Sequence, residues 1–128
     1  MNRLEYDTSQ TGLRAIFKPW QETTLHTIME NPQGLNSRET WQRVNQRLGE
    51  ETISRASIIN FLEDIRQMGI LAGEDRTGKG GHHWVYKPAM TEAHLKQFIA
   101  EEILTTLIRD FPDETKKSIN KIANLYCS

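Results

Sequence analysis

Arg55, Ser57 and Asn60 lie within six positions of one another, directly after Ser54, in the stretch ISRASIINFLEDIRQMG. These side chains suit the reading of base edges: arginine pairs with guanine O6 and N7, asparagine with adenine N6 and N7, and serine with either. A second group, Arg76, Lys79, His82 and His83, surrounds the segment from Thr77 to Gly81, which holds three glycines. Glycine lets backbone amides come close to a phosphate, and the cations supply a sequence-independent attraction. Arg38 and Arg43, and Lys18 with Gln21 near a helix start, are further candidates for holding phosphates. The same residue types also serve as ordinary solvated charge on a helix face or a flexible hairpin.

No catalytic set accompanies them. Glu101-Glu102 and Asp113-Glu114 read as surface acids with no nucleophile beside them. A single cysteine, Cys127, excludes an internal disulfide and any multi-thiolate metal site. His82 and His83 are adjacent in a strand, point to opposite faces and make a poor zinc pair. GEDRTGKGG precedes a strand rather than a helix, unlike a nucleotide phosphate loop. The expectation is no enzyme, no metal and no cofactor.

The elements that must position these groups follow from periodicity. Ser54 is a good N-cap. Ile58, Phe61, Leu62, Ile65 and Met68 then recur three and four apart, on one face of a helix that Gly69 ends. The opposite face carries Arg55, Ser57, Asn60 and Asp64, with Ala56 and Ile59 at its margins. Ile70 and Leu71 open a short strand, GEDRTGKGG reads as a polar turn region, and His83 to Tyr86 form the return strand, closed by Pro88.

Upstream, Pro19 starts a first helix with Trp20, Leu25, Ile28 and Met29 inward, and Asn31-Pro32-Gln33-Gly34 stops it. Leu35 can add one or two residues of edge strand. Asn36 and Glu39 are spaced as a capping box for a second helix, with Trp41, Val44 and Leu48 on one face and Gly49 at its end. All three tryptophans, Trp20, Trp41 and Trp84, read as core filling.

Three short helices with a tight junction between the last two, then a glycine-tipped hairpin, predict a winged helix-turn-helix, mainly α with a small β-hairpin. The organisation reads as a flexible leader over 1–14, a winged-helix DNA-binding domain over 15–89, and C-terminal dimerisation helices over 90–128. The first of these last helices follows Thr91 as N-cap. Asp113 can cap the second, after a break at Phe111-Pro112. Leu95, Phe98, Ile99, Leu104, Leu107, Ile108, Ile119 and Ile122 make apolar faces that need a partner. A two-fold copy of the same segment is the simplest one.

Charge tempers the DNA reading. Sixteen Lys and Arg oppose 17 Asp and Glu, a formal net charge of −1. Binding must then rely on local arrangement rather than overall basicity. No apolar run approaches a membrane span, and the opening MNRLEYDTSQTG lacks the apolar core of a signal peptide, so a cytoplasmic protein is expected.

The pieces PWQETTLHTIME, SRETWQRVNQRL, SRASIINFLEDIRQMGIL and WVYKPAMTEAHLKQF resemble the BlaI/MecI penicillinase-repressor family of bacterial winged-helix regulators over residues 15–110. The resemblance implies a homodimer on a palindromic operator, repressing transcription, with dimer contacts in the C-terminal helices. The chain departs from it in two ways. Gln67-Met68 stands where a basic pair is common, and Glu63-Asp64 where a basic residue is frequent. Some members are induced by cleavage at an Asn-Phe bond in the C-terminal region, whereas the only Asn-Phe pair here, Asn60-Phe61, lies in the third helix.

The leading expectation is therefore a homodimeric DNA-binding regulator on a double-stranded operator, with no membrane partner. A ligand-responsive winged helix of the multiple-antibiotic-resistance type and a winged-helix module that docks protein remain open beside it. The sequence leaves the operator, the regulated genes and any small-molecule effector unassigned.

Overall fold

A computed structural model describes residues 4–78 and 81–126. Two compact units emerge, Met1–Glu92 and Ala93–Ser128. The first contains α1 (Pro19–Met29), β1 (Leu35–Asn36), α2 (Ser37–Leu48), α3 (Arg55–Gln67), β2 (Leu71–Gly78) and β3 (Gly81–Pro88). The three strands form an antiparallel sheet in the order β1-β3-β2. This is winged helix-turn-helix topology: three helices and a hairpin, with a short strand between α1 and α2 completing the sheet.

Local chemistry sets each boundary. Asn36 Oδ1 accepts from the Glu39 amide at 2.8 Å and Glu39 Oε1 accepts from the Asn36 amide at 3.1 Å, a reciprocal cap at the start of α2. Gly49, at φ 71°, ends that helix. At the end of α3, the Ile70 amide reaches the Ile65 carbonyl at 2.9 Å and the Gly69 amide reaches Arg66 at 3.0 Å, with Gly69 at φ 85°. Ile65 and Ile70 are both fully buried, so the left-handed turn is fastened by apolar contact as well as hydrogen bonds.

The core is built on Leu25 and Ile28 of α1, Val44 of α2, Ile58, Leu62 and Ile65 of α3, and Ile70, all fully buried. Each such side chain contributes about 1.5–3 kcal/mol relative to an exposed one. That is enough to fix which face of α3 turns inward. Phe61 meets Phe17 and Trp20 edge-to-face, at centroid distances of 5.9 and 5.5 Å. Buried Thr24, Thr27 and Thr40 are satisfied by donating their hydroxyls to the carbonyls of Trp20, Thr23 and Asn36, four residues back in each case.

Three expectations need correction. The segment GEDRTGKGG is not a long turn. The ladder runs from Leu71↔Pro88 to Gly78↔Gly81, because beyond β1 the hairpin is two-stranded and polar residues are tolerated at its exposed end. Trp84 is not core: it is 41% exposed, lies flat over Gly73 and is covered by the Arg66 guanidinium at 5.7 Å from the ring centroid. Within 1–14, the expected leader, residues from Gly12 begin a 3-10 turn that ends at Ala15. It buries Leu13 and Ala15, and the Asp7 amide donates to the Ala15 carbonyl at 2.7 Å.

The second unit carries α4 (Glu92–Asp110), which starts one residue inside the first, and α5 (Pro112–Tyr126). α5 opens on Pro112 rather than after Asp113, since proline's fixed φ suits a first helical position. Thr115 is buried, its hydroxyl donating to the Leu107 carbonyl at 3.0 Å across the break. Leu104, Leu107, Ile108, Ile119 and Ile122 are exposed, and so are Phe111, Leu125 and Tyr126. Leu95 and Ile99 are buried in the single chain and Phe98 is half-buried. Those three therefore offer a second copy less than the sequence pattern implied.

Candidate nucleic-acid interface

The position of α3 is set by a side-chain clamp at the turn before it. Asn45 Oδ1 accepts from the Ile53 amide at 2.8 Å, and Asn45 Nδ2 donates to the Ile53 carbonyl at 3.1 Å. Trp41 Nε1 donates to the same carbonyl at 3.0 Å. α2 thus grips the residue just before the N-cap of α3. Sequence reasoning missed Asn45; an asparagine in a helix interior, where its propensity is poor, was the available signal.

At the helix start, Ser54 Oγ accepts from the Ser57 amide at 3.1 Å and donates to Ser57 Oγ at 2.9 Å. Both serines are therefore occupied in capping, which leaves the Ser57 hydroxyl hydrogen as their main remaining donor. Arg55 and Asn60 are exposed, and no described residue pairs with either side chain.

The four buried positions of α3, Ile58, Phe61, Leu62 and Ile65, put Ala56, Asn60, Glu63 and Gln67 diametrically opposite. At about 100° per residue, Arg55 stands about 140° from Asn60, so Asn60 lies on the open ridge while Arg55 sits at the edge of the buried stripe, exposed at the first position of the helix. The expected set of Arg55, Ser57, Asn60 and Asp64 is corrected on this point. Ser57 and Asp64 turn to the far flank and are half-buried. Gln67, exposed at the end of the ridge, was not in that set; centring the helical wheel on Ile58 and Ile65 would have found it.

Glu63 ties the ridge to the hairpin. Its Oε2 accepts from the Tyr86 hydroxyl at 2.7 Å, and its Oε1 receives Arg66 Nη2 at 2.9 Å. The Arg66 guanidinium, with a smaller contribution from Tyr86, holds the Glu63 carboxyl below the usual range. Burial, then the Glu63 bond, pushes the Tyr86 phenol up. Helix and wing are joined by this Tyr86–Glu63–Arg66–Trp84 chain.

Cations around the hairpin are largely spent within the fold. Glu74 Oε2 receives Lys87 Nζ at 2.6 Å and Arg76 Nη2 at 3.2 Å, and the same Arg76 nitrogen donates to the Gln33 carbonyl at 2.9 Å. Lys87 first, then Arg76, drive the Glu74 carboxyl down to about 2. His83 is exposed opposite Arg76 in the ladder. Lys79 and the His82 side chain lie outside the described residues.

On α2, Arg38 is exposed with no partner among the described residues. Arg43 Nη1 donates to Asn31 Oδ1 at 2.7 Å, a neutral acceptor that leaves its charge uncompensated. Gln21 is engaged at the start of α1, its Oε1 accepting from the Lys18 amide at 2.9 Å. Among the described residues, unneutralised positive charge is thus carried by Arg38 and Arg43 of α2 and Arg55 of α3 more than by Arg76 and Lys87 of the hairpin.

Among the described residues no group of three or more His, Cys, Asp or Glu could hold a metal ion. No helix among them is long and apolar enough to cross a membrane. No protein-family model matches the chain, and no curated protein matches it.

Proposed function

We propose that the chain is a sequence-specific DNA-binding transcriptional regulator of the kind its resemblance to the BlaI/MecI repressors implies. α3 enters the major groove and the hairpin rests on the adjacent backbone. The observation that carries this reading is the exposed first half of α3, where Arg55 and Asn60 have no partner within the described chain. Exposed and unpartnered, both side chains are free to bond base edges, arginine to guanine and asparagine to adenine. Arg38 and Arg43 supply phosphate contacts beside them.

The regulator acts as a homodimer in the cytoplasm, probing two half-sites of a pseudo-palindromic operator and repressing transcription. Leu104, Leu107, Ile108, Ile119 and Ile122 bring the two copies together. It performs no catalysis and needs no cofactor. A shift assay on the DNA flanking its own coding sequence tests the reading. Specific retardation that is lost in Arg55→Ala with Asn60→Ala supports it; specific retardation that survives both changes removes α3 as the reader.

One observation favours protein docking as a second reading. Arg66, Arg76 and Lys87 are all paired with carboxylates, and the chain as a whole is at −1. DNA binding would make affinity fall steeply with salt, whereas a docked protein partner would not.

A further inference from the structure

The segment before α1 and the far flank of α3 enclose a cleft of about 500 Å³, within the roughly 300–1,000 Å³ of small-molecule sites. Phe17, Phe61, Ile65 and Met68 form its apolar wall. Its charged lining is Glu5, Asp7 and Asp64 against Arg14 and Lys18, three carboxylates to two cations. One of those cations is already compensated, because Arg14 Nε pairs at 3.1 Å with Glu22, which is not part of the lining.

The carboxylates differ in availability. Asp7 Oδ1 accepts from both the amide and the hydroxyl of Ser9, at 2.9 and 2.6 Å. Asp64 is half-buried, and no described residue bonds to or pairs with its carboxylate. It stands one helical turn from Met68 and beside Ile65 on the apolar wall. A half-desolvated carboxylate at such a wall selects a cation that is itself weakly hydrated. Phenyl rings and a thioether add to the preference for an aromatic or quaternary cation.

We propose that this cleft binds amphiphilic organic cations, with Asp64 as the charge partner and the Phe17–Phe61–Met68 wall taking the apolar body. Four of the lining residues, Phe61, Asp64, Ile65 and Met68, belong to α3 and its C-cap, on the side turned away from the open ridge. The occupant therefore touches the proposed reading helix without competing for its exposed face.

Isothermal titration of the full chain, without DNA, tests the site independently of any nucleic-acid activity. Tetraphenylphosphonium and tetraphenylborate are matched in shape and opposite in charge. The cation is expected to bind at least about ten-fold more tightly than the anion. Asp64→Asn is expected to weaken the cation by about ten-fold, and Lys18→Glu, at an exposed position, to tighten it. Absence of cation binding, equal affinity for both probes, or a folded Asp64→Asn chain with unchanged affinity overturns the proposal. If Asp64→Asn fails to fold by circular dichroism, the Lys18→Glu response decides: no tightening overturns it.

Discussion

Asn45 holds both backbone groups of Ile53, accepting from its amide at 2.8 Å and donating to its carbonyl at 3.1 Å. One side chain in α2 therefore sets the angle at which α3 leaves the turn. The helix-turn-helix geometry depends on this clamp in addition to the apolar core beneath it.

Removing the clamp leaves the half-buried Ile53 amide without its acceptor. Asn45→Ala is expected to cost about 1–3 kcal/mol, read as a lower urea midpoint at unchanged slope. Asn45→Asp, which keeps the acceptor and loses the donor, should cost less. A loss below about 0.5 kcal/mol in Asn45→Ala would remove the clamp from the account.

Two glycines separate conformational from steric demand. A Cβ at Gly69 would meet nothing within 4 Å, but its φ of 85° is unfavourable for other residues. Gly69→Ala is therefore expected to cost about 1 kcal/mol, as a left-handed helix terminator should. At Gly73 the backbone is ordinary, while a Cβ would stand 2.6 Å from Trp84 Nε1. Gly73→Ala must displace the indole from its seat under Arg66. The expected readout is a shift in tryptophan emission that Gly69→Ala does not produce.

Acid should loosen the hairpin before the core. The Glu74 carboxyl is depressed from 4.5 to about 2 by Lys87 and Arg76. A group depressed in the folded state stabilises fully above its ordinary value, and this support is lost as pH falls toward the folded one. The expected loss lies between about 4.5 and about 2. Glu63, depressed by Arg66 and Tyr86, adds in the same direction. An NMR titration of the Glu74 side chain checks this: Lys87→Met should raise its midpoint, and a midpoint already ordinary in the unaltered chain would contradict the pairing.

Exposed apolar side chains on α5 predict self-association. Ile122 is 54% exposed and Leu125 65%, more than a lone helix face in water ordinarily leaves uncovered. Sedimentation equilibrium is expected to give a dimer for the unaltered chain and a monomer for Ile122→Asp. A monomeric unaltered chain would remove the two-half-site arrangement.

Much of the scaffold was legible because single residues declare its boundaries. Asn36 with Glu39, Ser54, and Gly69 mark where α2 and α3 begin and end, and each does so through the expected hydrogen bonds. The hairpin was misjudged because GEDRTGKGG has turn composition, whereas strand pairing there is carried by backbone groups that composition does not report. Trp84 was misplaced because size argues for burial; its seat exists only because Gly73, diagonal to it in the ladder, has no side chain.

The candidate site divides along the same line. Asn60 was legible as an exposed donor from periodicity, and Arg55 from its place directly after the Ser54 cap. Partnering was not: Arg76 on Gln33 spans 43 residues and Glu63 on Tyr86 spans 23, distances over which spacing carries no information. Ser57 has the chemistry of a base reader but is engaged chiefly with the Ser54 cap.

The central claim is that Arg55 and Asn60 read DNA from the exposed first half of α3. Selection from a pool of random-sequence duplexes tests it whatever the operator sequence is. The unaltered protein is expected to enrich a two-fold symmetric motif, and the Arg55→Ala, Asn60→Ala double variant, folded by circular dichroism, to enrich none. Failure of the unaltered protein to enrich any sequence, or recovery of the same motif by the double variant, would contradict the account.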